Sequence, residues 1–307
     1  EGSGCRNYQG PAWYRKHFVL PAETKGKRVV LHFEAAMGKQ ILYLNGKRIQ
    51  EHLGGYLPFT LDLTANGVQA GDSCLLAVFT DNSDDKSYPP GKRQYTLDFA
   101  YHGGIYRDVW MIAKSPVAIT DAIDSQIVGG GGVFVHFDKI SKKSAQVYVN
   151  TEVQNDDARS ESVTVETTLT DADGKVIKRS SGKLSLKPGE KKSIRQQMEV
   201  KNPTLWSPDT PYLYRVQSRI KKGNKSIDGG ITRVGIRLAE FRGKDGFWLN
   251  GKPFGQLVGA NRHQDFAYVG NALPNSQQWR DAKRLRDVGC TIIRVAHYPQ
   301  DPAFMDA

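Results

Sequence analysis

The sequence predicts a mainly β protein of several domains: a jelly-roll β-sandwich, an immunoglobulin-like β-sandwich, and a β-α-β-α segment typical of a parallel sheet. Three observations support this prediction. The 307 residues exceed what one hydrophobic core usually accommodates. Short runs with period-two alternation, and no long amphipathic helix, occupy the chain to about residue 237. The composition changes near Ser115 and again near Arg237, which places domain boundaries there.

The jelly-roll domain is predicted over residues 1–115, where short strand-like runs alternate with turn residues. Asn45-Gly46, between two such runs, is a strong hairpin signal because both turn positions need a positive φ. Many strands without a long helix are typical of a jelly roll. The clearest runs are WYRKHFVLP, KRVVLHFEA, KQILYLNGKRIQ, SCLLAVFTDN and IYRDVWMIA.

The immunoglobulin-like domain is predicted over residues 116–238, where aromatic residues become sparse and Lys, Ser and Thr frequent. Asp173-Gly174 is its hairpin signal. Further runs follow at spacings that suit a second, smaller sandwich: AQVYVNTEV, SVTVETTLT, KLSLKP, KSIRQQMEV, YLYRVQSRI and SIDGGITRVGI.

The last segment, residues 239–307, begins with a predicted hairpin at Asn250-Gly251 and continues as strand, helix, strand and helix. GQLVGA and TIIRVAHY have the apolar character of buried parallel strands. SQQWRDAKRLRDVG predicts a helix with Ser276 as N-cap and Gly289 as its end, and Pro302 suits the first turn of the next helix. Its expected apolar face is Trp279, Ala282, Leu285 and Val288. Two βα units leave open edges, so we expect this domain to be incomplete.

Composition excludes several classes of protein. With 39% hydrophobic and 24% charged residues, and no apolar run of about 18 residues, a globular protein without a membrane span is expected. The net charge of +11 raises the question of nucleic-acid binding. Between Lys139 and Lys225, however, 18 Lys and Arg against 10 Asp and Glu alternate with strand-like runs, and no nucleic-acid motif accompanies them. We therefore expect solvated loops and no nucleic-acid partner.

Cysteine usage and the first residues give little information on compartment. Cys5, Cys74 and Cys290 are widely spaced without a C-x-x-C motif, which favours unpaired thiols over a zinc site or a disulfide framework. EGSGCRNYQG has no secretory signal. Processing removes such a segment from a mature chain, so localisation stays open. A periplasmic or secreted location is compatible with the sequence.

Six motifs occur in a consistent order along nearly the whole chain, and on these the sequence resembles glycoside hydrolase family 2, the β-galactosidase and β-glucuronidase group. The resemblance implies that the two sandwiches precede a (β/α)8 TIM barrel, and that the parent protein is a retaining exo-β-glycosidase. β-Galactosidase activity ranks first, with β-glucuronidase and β-mannosidase specificity as alternatives. The motifs are PFTLDLT at Pro58, GGIYRDVW at Gly103, LWSPDTPYLY at Leu205, TRVGIRLAEF at Thr232, GANRHQD at Gly259 and RVAHYPQDPAF at Arg294.

The motifs GANRHQD and RVAHYPQDPAF lie at the C-terminal ends of the two predicted parallel strands. Barrel enzymes carry their functional residues at the C-terminal ends of strands. The resemblance implies that His263 and His297 contact the sugar, and that Arg294 and Asn261 shape the pocket. Imidazole suits this role because it can donate to or accept from a hydroxyl near neutral pH. Asp98 falls where related β-galactosidases place an acidic residue that reaches the substrate hydroxyls.

No catalytic residue is expected in this chain. Retaining glycosidases need two carboxyl groups about 5 Å apart, and in this family both are glutamates on later barrel strands. After Glu240 the sequence contains no glutamate, so the 307 residues alone are expected to be inactive. Gln264 stands where well-known members have a carboxylate, which weakens any case for a divalent metal or for galactose specifically. No cofactor and no metal are predicted.

Three further expectations concern surfaces and domain contacts. A non-catalytic carbohydrate-binding or assembly module is the alternative function, with exposed Tyr88, Tyr95 or Tyr101 stacking on glycan. GGIYRDVW is predicted to be structural, with Arg107 and Asp108 pairing across a domain junction. Homo-oligomers are frequent in the resembled family, which makes self-association a weak expectation.

Overall fold

A computed structural model describes residues 8–125 and 127–307. The chain forms two compact units, one running up to Ala113 and including Leu257–Ala307, the other spanning Lys114–Gln256. The division into three domains therefore stays a prediction. Cys74 and Cys290 are free thiols, as expected, and Cys5 lies outside the described residues.

The jelly roll of the first unit consists of two facing sheets. One sheet has the strand order β1-β6-β3-β4 and the other β5-β2-β7. Alternate residues of both sheets point into one core, in which Phe33, Leu42 and Leu61 are almost fully buried. The strands are β1 (Pro11–Val19), β2 (Arg28–Phe33), β3 (Lys39–Leu44), β4 (Lys47–Leu53), β5 (Phe59–Asp62), β6 (Ser73–Asp81) and β7 (Val109–Lys114), with short 3-10 turns at Ala22–Thr24 and Gln94–Thr96.

A glycine with a positive φ lies near each end of β3, Gly38 before it and Gly46 after it. Asn45 and Gly46 have φ of 50° and 82° in the two-residue turn between β3 and β4, which confirms the predicted hairpin. Gly38 precedes β3 with the same φ of 82°. A Cβ on Gly38 would lie 2.0 Å from the Asp81 carbonyl oxygen, whereas a Cβ on Gly46 would meet nothing within 4 Å.

These two glycines give a matched pair of substitutions. Both Gly38→Ala and Gly46→Ala place a side chain in the left-handed region, which costs about 1 kcal/mol. Gly38→Ala must also displace backbone at the end of β6, so we expect it to lower the free energy of unfolding by about 2 kcal/mol more than Gly46→Ala. Urea unfolding of both variants measures the difference. Equal losses in the free energy of unfolding would show that the backbone of β6 can shift at Asp81 without a measurable cost.

The second unit is a β-sandwich with its own cores. One sheet has the order β13-β10-β8 with β9 also paired to β10, and the other has the order β12-β11-β14-β15. Val147, Val149, Leu169 and Val216 are fully buried between them. The elements are β8 (Val117–Ile119), α1 (Ala122–Ser125), β9 (Val133–Asp138), β10 (Ser144–Asn155), β11 (Glu161–Thr170), β12 (Val176–Leu186), β13 (Lys191–Lys201), β14 (Tyr214–Lys222) and β15 (Lys225–Val234).

Both hairpin signals of this unit are found at turns. Gly174, with φ of 89°, lies between β11 and β12. Asn250 and Gly251 have φ of 54° and 77° and join the last two strands of a small three-stranded sheet. That sheet consists of β16 (Ala239–Phe241), β17 (Phe247–Leu249) and β18 (Lys252–Pro253), with a 3-10 turn at Gly243–Asp245.

The β-α-β-α segment completes the first unit. It consists of β19 (Gly259–Arg262), α2 (Asn275–Asp287), β20 (Ile292–Val295) and α3 (Pro302–Asp306). The strands pair in parallel, as predicted, with Asn261 opposite Arg294. α3 has Pro302 in its first turn, and the Asp301 carboxylate accepts from the Ala303 amide at 2.8 Å. In the described part of the chain, no helix has both the length and the apolarity that crossing a bilayer requires.

Helix α2 differs from its prediction in two respects. It begins at Asn275 after Pro274, with no side-chain cap, so Ser276 is not its N-cap. Trp279 and Val288 are 48% and 77% exposed, so they do not form a buried apolar face. The buried residues are instead Gln277 and Gln278. Gln278 accepts a hydrogen bond from the buried Arg262 of β19, and Gln277 donates to Asp281, which also pairs with Arg262. The predicted end is correct, since Gly289 has φ of 90°.

Candidate functional site

The two histidines follow the ends of the parallel strands β19 and β20. His263 comes directly after β19, and His297 comes two residues after β20, behind a cis peptide bond from Ala296. Parallel strands end at the same edge of a sheet, so both imidazoles lie at that edge. Their ring centroids are 5.3 Å apart, with the rings tilted by 78°. The structure therefore brings these two predicted site residues together, and their contact with a sugar stays a prediction.

Asp98 reaches the same edge from the jelly-roll loop between β6 and β7. Its Oδ2 lies 3.5 Å from His297 Nε2, and its side chain is 71% exposed. A hydrogen bond from its own backbone N–H lowers the pKa of Asp98, desolvation partly opposes this, and His297 lowers the pKa further. At neutral pH the carboxylate is therefore charged and available to accept hydrogen bonds.

An aromatic cluster supports these side chains from behind. Phe99 follows Asp98 in the chain, and its ring centroid lies 5.8 Å from that of His263 and 5.9 Å from that of His297. It also packs edge-on against Tyr298 at 5.3 Å. Tyr298 in turn stacks on Tyr56 with centroids 4.4 Å apart and planes 6° from parallel. Ring packing thus holds both imidazoles in defined orientations.

The other two predicted site residues lie slightly earlier on the strands. Arg294 Nη1 is 3.3 Å from Asn261 Oδ1, and both side chains are exposed. Arg262, the neighbour of Asn261, contacts α2 and α3. Successive side chains of a strand point to opposite faces, so Asn261 and Arg294 lie on the face away from the helices. Their role in a pocket stays a prediction.

Asp98, His263 and His297 also have the composition of a metal site. Each offers one ligand atom, and these atoms all lie within 4.8 Å of one another. Two imidazole nitrogens and one carboxylate oxygen suit zinc or another transition metal. The same atoms suit the hydroxyls of a sugar, which need both donors and acceptors. The expectation that no metal binds here stays a prediction.

A close contact between a histidine and an aspartate continues the site from the jelly roll into the loop after β19. His102 Nε2 lies 3.6 Å from Asp265 Oδ2. Gly270, with φ of 58°, lies against His102, where a Cβ would be 2.6 Å from Nδ1. The proximity of His102 lowers the pKa of Asp265, and burial only partly opposes it. This pair was not predicted from the sequence, although Asp265 stands within the GANRHQD motif.

The lowered pKa of Asp265 predicts an acid dependence of stability. A carboxyl group whose pKa is lower in the folded state stabilises the fold above its unfolded pKa of about 3.9. That contribution is lost as the pH falls through the lower folded value. We expect Asp265→Asn to lower the melting temperature at pH 5 and to have progressively less effect between about pH 4 and pH 2. Thermal melts across this range measure the difference in melting temperature between the wild type and Asp265→Asn. A difference that grows as the pH falls would contradict the lowered pKa of Asp265.

Other residues singled out in the sequence have clear positions. Arg107 and Asp108 both contact residues of the β-α-β-α segment, and the domain junction itself stays a prediction. Tyr101 is 5% exposed and its hydroxyl donates to the Lys92 carbonyl at 2.8 Å. The prediction of an exposed stacking face is therefore wrong for Tyr101, because the hydroxyl has a partner inside the loop and the ring joins the core. Tyr95 is 76% exposed.

Three models of one family match the chain in succession. The sugar binding domain of glycosyl hydrolases family 2 matches residues 2–116, the model named glycosyl hydrolases family 2 matches residues 131–237, and the TIM barrel domain of the same family matches residues 241–307.

Individual proteins match over almost the whole chain. A β-galactosidase of Thermoanaerobacter pseudethanolicus is 34% identical over 98% of the chain and 38% of its own length. A β-glucuronidase of Formosa agariphila is 33% identical over 97% of the chain and 31% of its own length. Among solved structures, β-glucuronidase 2 of Bacteroides uniformis, covalently bound to cyclophellitol-6-carboxylate aziridine, superposes with a TM-score of 0.88. It is 32% identical, over 98% of this chain and 36% of its own. The chain thus spans between about a third and two fifths of the length of these relatives.

Proposed function

This chain belongs to glycosyl hydrolase family 2, and from that premise we propose that it supplies one side of the sugar-binding cleft of a retaining exo-β-glycosidase. The observation that carries the proposal is the convergence of Asp98, His263 and His297, whose ligand atoms lie within 4.8 Å of one another. A jelly-roll loop and two parallel strand ends contribute them. Polar side chains from separate elements converge in this way where a ligand must be oriented.

Each residue has a role in this proposal. His263 and His297 bind hydroxyls of the terminal sugar, since a neutral imidazole has one donor and one acceptor nitrogen. The Asp98 carboxylate accepts hydroxyl protons in charge-assisted hydrogen bonds. Arg294 and Asn261 form the wall of the cleft below them. The aromatic cluster of Phe99 and Tyr298 keeps the imidazoles in place while the sugar ring distorts.

Hydrolysis itself requires groups from further barrel strands. A retaining mechanism uses two carboxyl groups about 5 Å apart, one as nucleophile and one as acid and base. The sequence contains no glutamate after Glu240, and Glu240 is engaged with Arg242 at 2.8 Å in the second unit. We therefore propose that the 307 residues bind sugar without cleaving glycosides, and that a protein which also contains the remaining barrel strands hydrolyses them.

A neutral terminal sugar, with galactose first, is the proposed specificity. Asp98 is charged at neutral pH, and an anionic uronate placed close to it would be repelled. Relatives with both names, β-galactosidase and β-glucuronidase, match the chain, so β-glucuronides and then β-mannosides are the alternatives. Nitrophenyl β-glycosides of all three sugars, assayed with the barrel-containing protein, test this directly.

The expected result is the highest kcat/KM on the β-galactoside and no turnover by the 307-residue chain alone. Preference for the β-glucuronide would refute the proposed repulsion between Asp98 and a uronate. The proposal that the protein is a glycosidase would still stand. Failure on every glycoside would refute the proposed enzyme. Turnover by the 307-residue chain would show that the catalytic carboxylates had been wrongly placed outside it.

A further inference from the structure

Arg107 connects the jelly roll to both histidine-bearing strand ends through a single nitrogen atom. Its side chain is buried, with 9% exposed. The Nη2 atom donates to Gln264 Oε1 at 2.9 Å and to the Pro299 carbonyl oxygen at 2.6 Å. The second terminal nitrogen, Nη1, lies 3.5 Å from the Tyr56 carbonyl oxygen. These acceptors lie on three separate segments of the chain.

The position of the two close acceptors gives these hydrogen bonds their significance. Gln264 directly follows His263, and Pro299 lies two residues after His297. Gln264 is almost completely buried at 1% exposed, and its backbone N–H also lies 3.4 Å from the Tyr298 hydroxyl. Two chain segments that each carry an imidazole are therefore held at one point, a residue or two beyond the imidazoles.

The Arg107 guanidinium is itself held in place by the jelly roll. The neighbouring Tyr106 hydroxyl donates to the Gly55 carbonyl at 2.6 Å, and the guanidinium lies 5.3 Å from the centre of the Tyr106 ring. Burial raises the pKa of Tyr106 to about 12, so its hydroxyl keeps its proton and remains a donor. Asp108 adds a second connection, since its Oδ2 accepts from Asn275 Nδ2 at 3.2 Å.

We propose that Arg107 is a positioning residue of the glycosidase, which fixes the separation of the His263 and His297 imidazoles by holding both strand ends against the jelly roll. It touches neither the sugar nor the reacting atoms. Lysine cannot replace it, because a single ammonium lacks the planar, fixed arrangement of donors that a guanidinium presents. The proposal rests on the proposed function for its kinetic consequences, but the geometry that it assigns to the imidazoles does not depend on activity.

The test compares Arg107→Ala, Arg107→Lys and a matched control, Arg28→Ala, in the barrel-containing protein. Arg28 also belongs to the jelly roll and pairs with Asp62 at 2.6 Å, far from the histidines in sequence. We expect Arg107→Ala to lower kcat/KM by tenfold or more, since displacement of binding groups by about 1 Å can cost up to about 100-fold. Arg107→Lys should recover little. Arg28→Ala should stay within twofold of the wild type, although its melting temperature falls.

Chemical rescue separates positioning from general stability. Millimolar guanidinium can occupy the space left in Arg107→Ala, and it should restore part of kcat/KM in that variant while leaving the wild type and Arg28→Ala unchanged. A rise in melting temperature without a rise in kcat/KM would overturn the proposal. So would a kcat/KM of Arg107→Ala within twofold of the control.

An inactive wild type would instead refute the proposed enzyme. The role of Arg107 would then be decided by a crystal structure of Arg107→Ala. Imidazole centroids still about 5.3 Å apart would overturn the proposal, and separated imidazoles would support it.

Discussion

Replacing either His263 or His297 by alanine is expected to lower turnover of the barrel-containing glycosidase by more than tenfold. Each imidazole is proposed to bind a hydroxyl of the terminal sugar. Removing it leaves that hydroxyl unpaired, which costs about 1.5–3 kcal/mol and corresponds to roughly 10- to 160-fold in rate. Steady-state kinetics on the preferred nitrophenyl glycoside measure the loss.

A third histidine provides the control for this experiment. His136 stacks on Tyr148 with ring centroids 5.0 Å apart, so it also packs against an aromatic ring, but it belongs to the second unit. His136→Ala should leave kcat/KM within twofold of the wild type. The double variant of His263 and His297 should lose less than the product of the two single losses, because the rings contact each other. Rates close to wild type in either single variant would show that the cleft lies elsewhere.

The second large effect concerns stability. Arg262→Met is expected to lower the free energy of unfolding by about 3 kcal/mol, because removing one member of a buried charged network leaves its partners unpaired. Arg262 is 6% exposed, and its side chain joins β19 to both helices of the segment. Its partners are Gln300 Oε1 at 2.5 Å, Gln278 Oε1 at 2.7 Å, Asp281 Oδ2 at 2.9 Å and the ring of Phe304 at 4.1 Å.

Arg294→Met is the matched control, since Arg294 lies on the neighbouring strand in the register position next to Asn261. It is exposed, and among residues 8–125 and 127–307 its one hydrogen bond is to Asn261 at 3.3 Å. Its loss should change the free energy of unfolding by less than about 1 kcal/mol. Urea unfolding followed by circular dichroism compares the two variants. Similar losses would mean that the buried network contributes no more than a surface contact.

Local sequence signals predicted the strands well, because alternation and turn chemistry act over few residues. The run KQILYLNGKRIQ contains β3, the Asn45-Gly46 turn and β4 as expected, and each turn residue has the positive φ that the motif requires. The parallel pairing of β19 with β20 also follows from the pattern of apolar runs around a helix. These features depend on short-range preferences and on the face that each run buries.

Only part of the surroundings of the site could be predicted from such signals. Phe99 and Tyr298 each adjoin a residue that the family motifs identify, so adjacency alone would have been a usable indication. The buried polar face of α2 could not be predicted, because it depends on contacts that only the folded structure reveals. Gln278 is a partner of Arg262, and Gln277 is a partner of Asp281. The contacts of Arg107 span 157 residues to Gln264 and 192 to Pro299, and no periodicity encodes them.

The order of the two units along the chain has a consequence for synthesis. The second unit, Lys114–Gln256, interrupts the first, and 199 residues separate Asp98 from His297. At translation rates of about 5 to 20 residues per second, the ribosome needs roughly 10 to 40 seconds to make that stretch. Throughout this interval the ring of Tyr56 lacks Tyr298, the partner on which it stacks in the finished fold. The nascent jelly roll therefore exposes an unfinished aromatic surface that chaperones can shield until the later strands emerge.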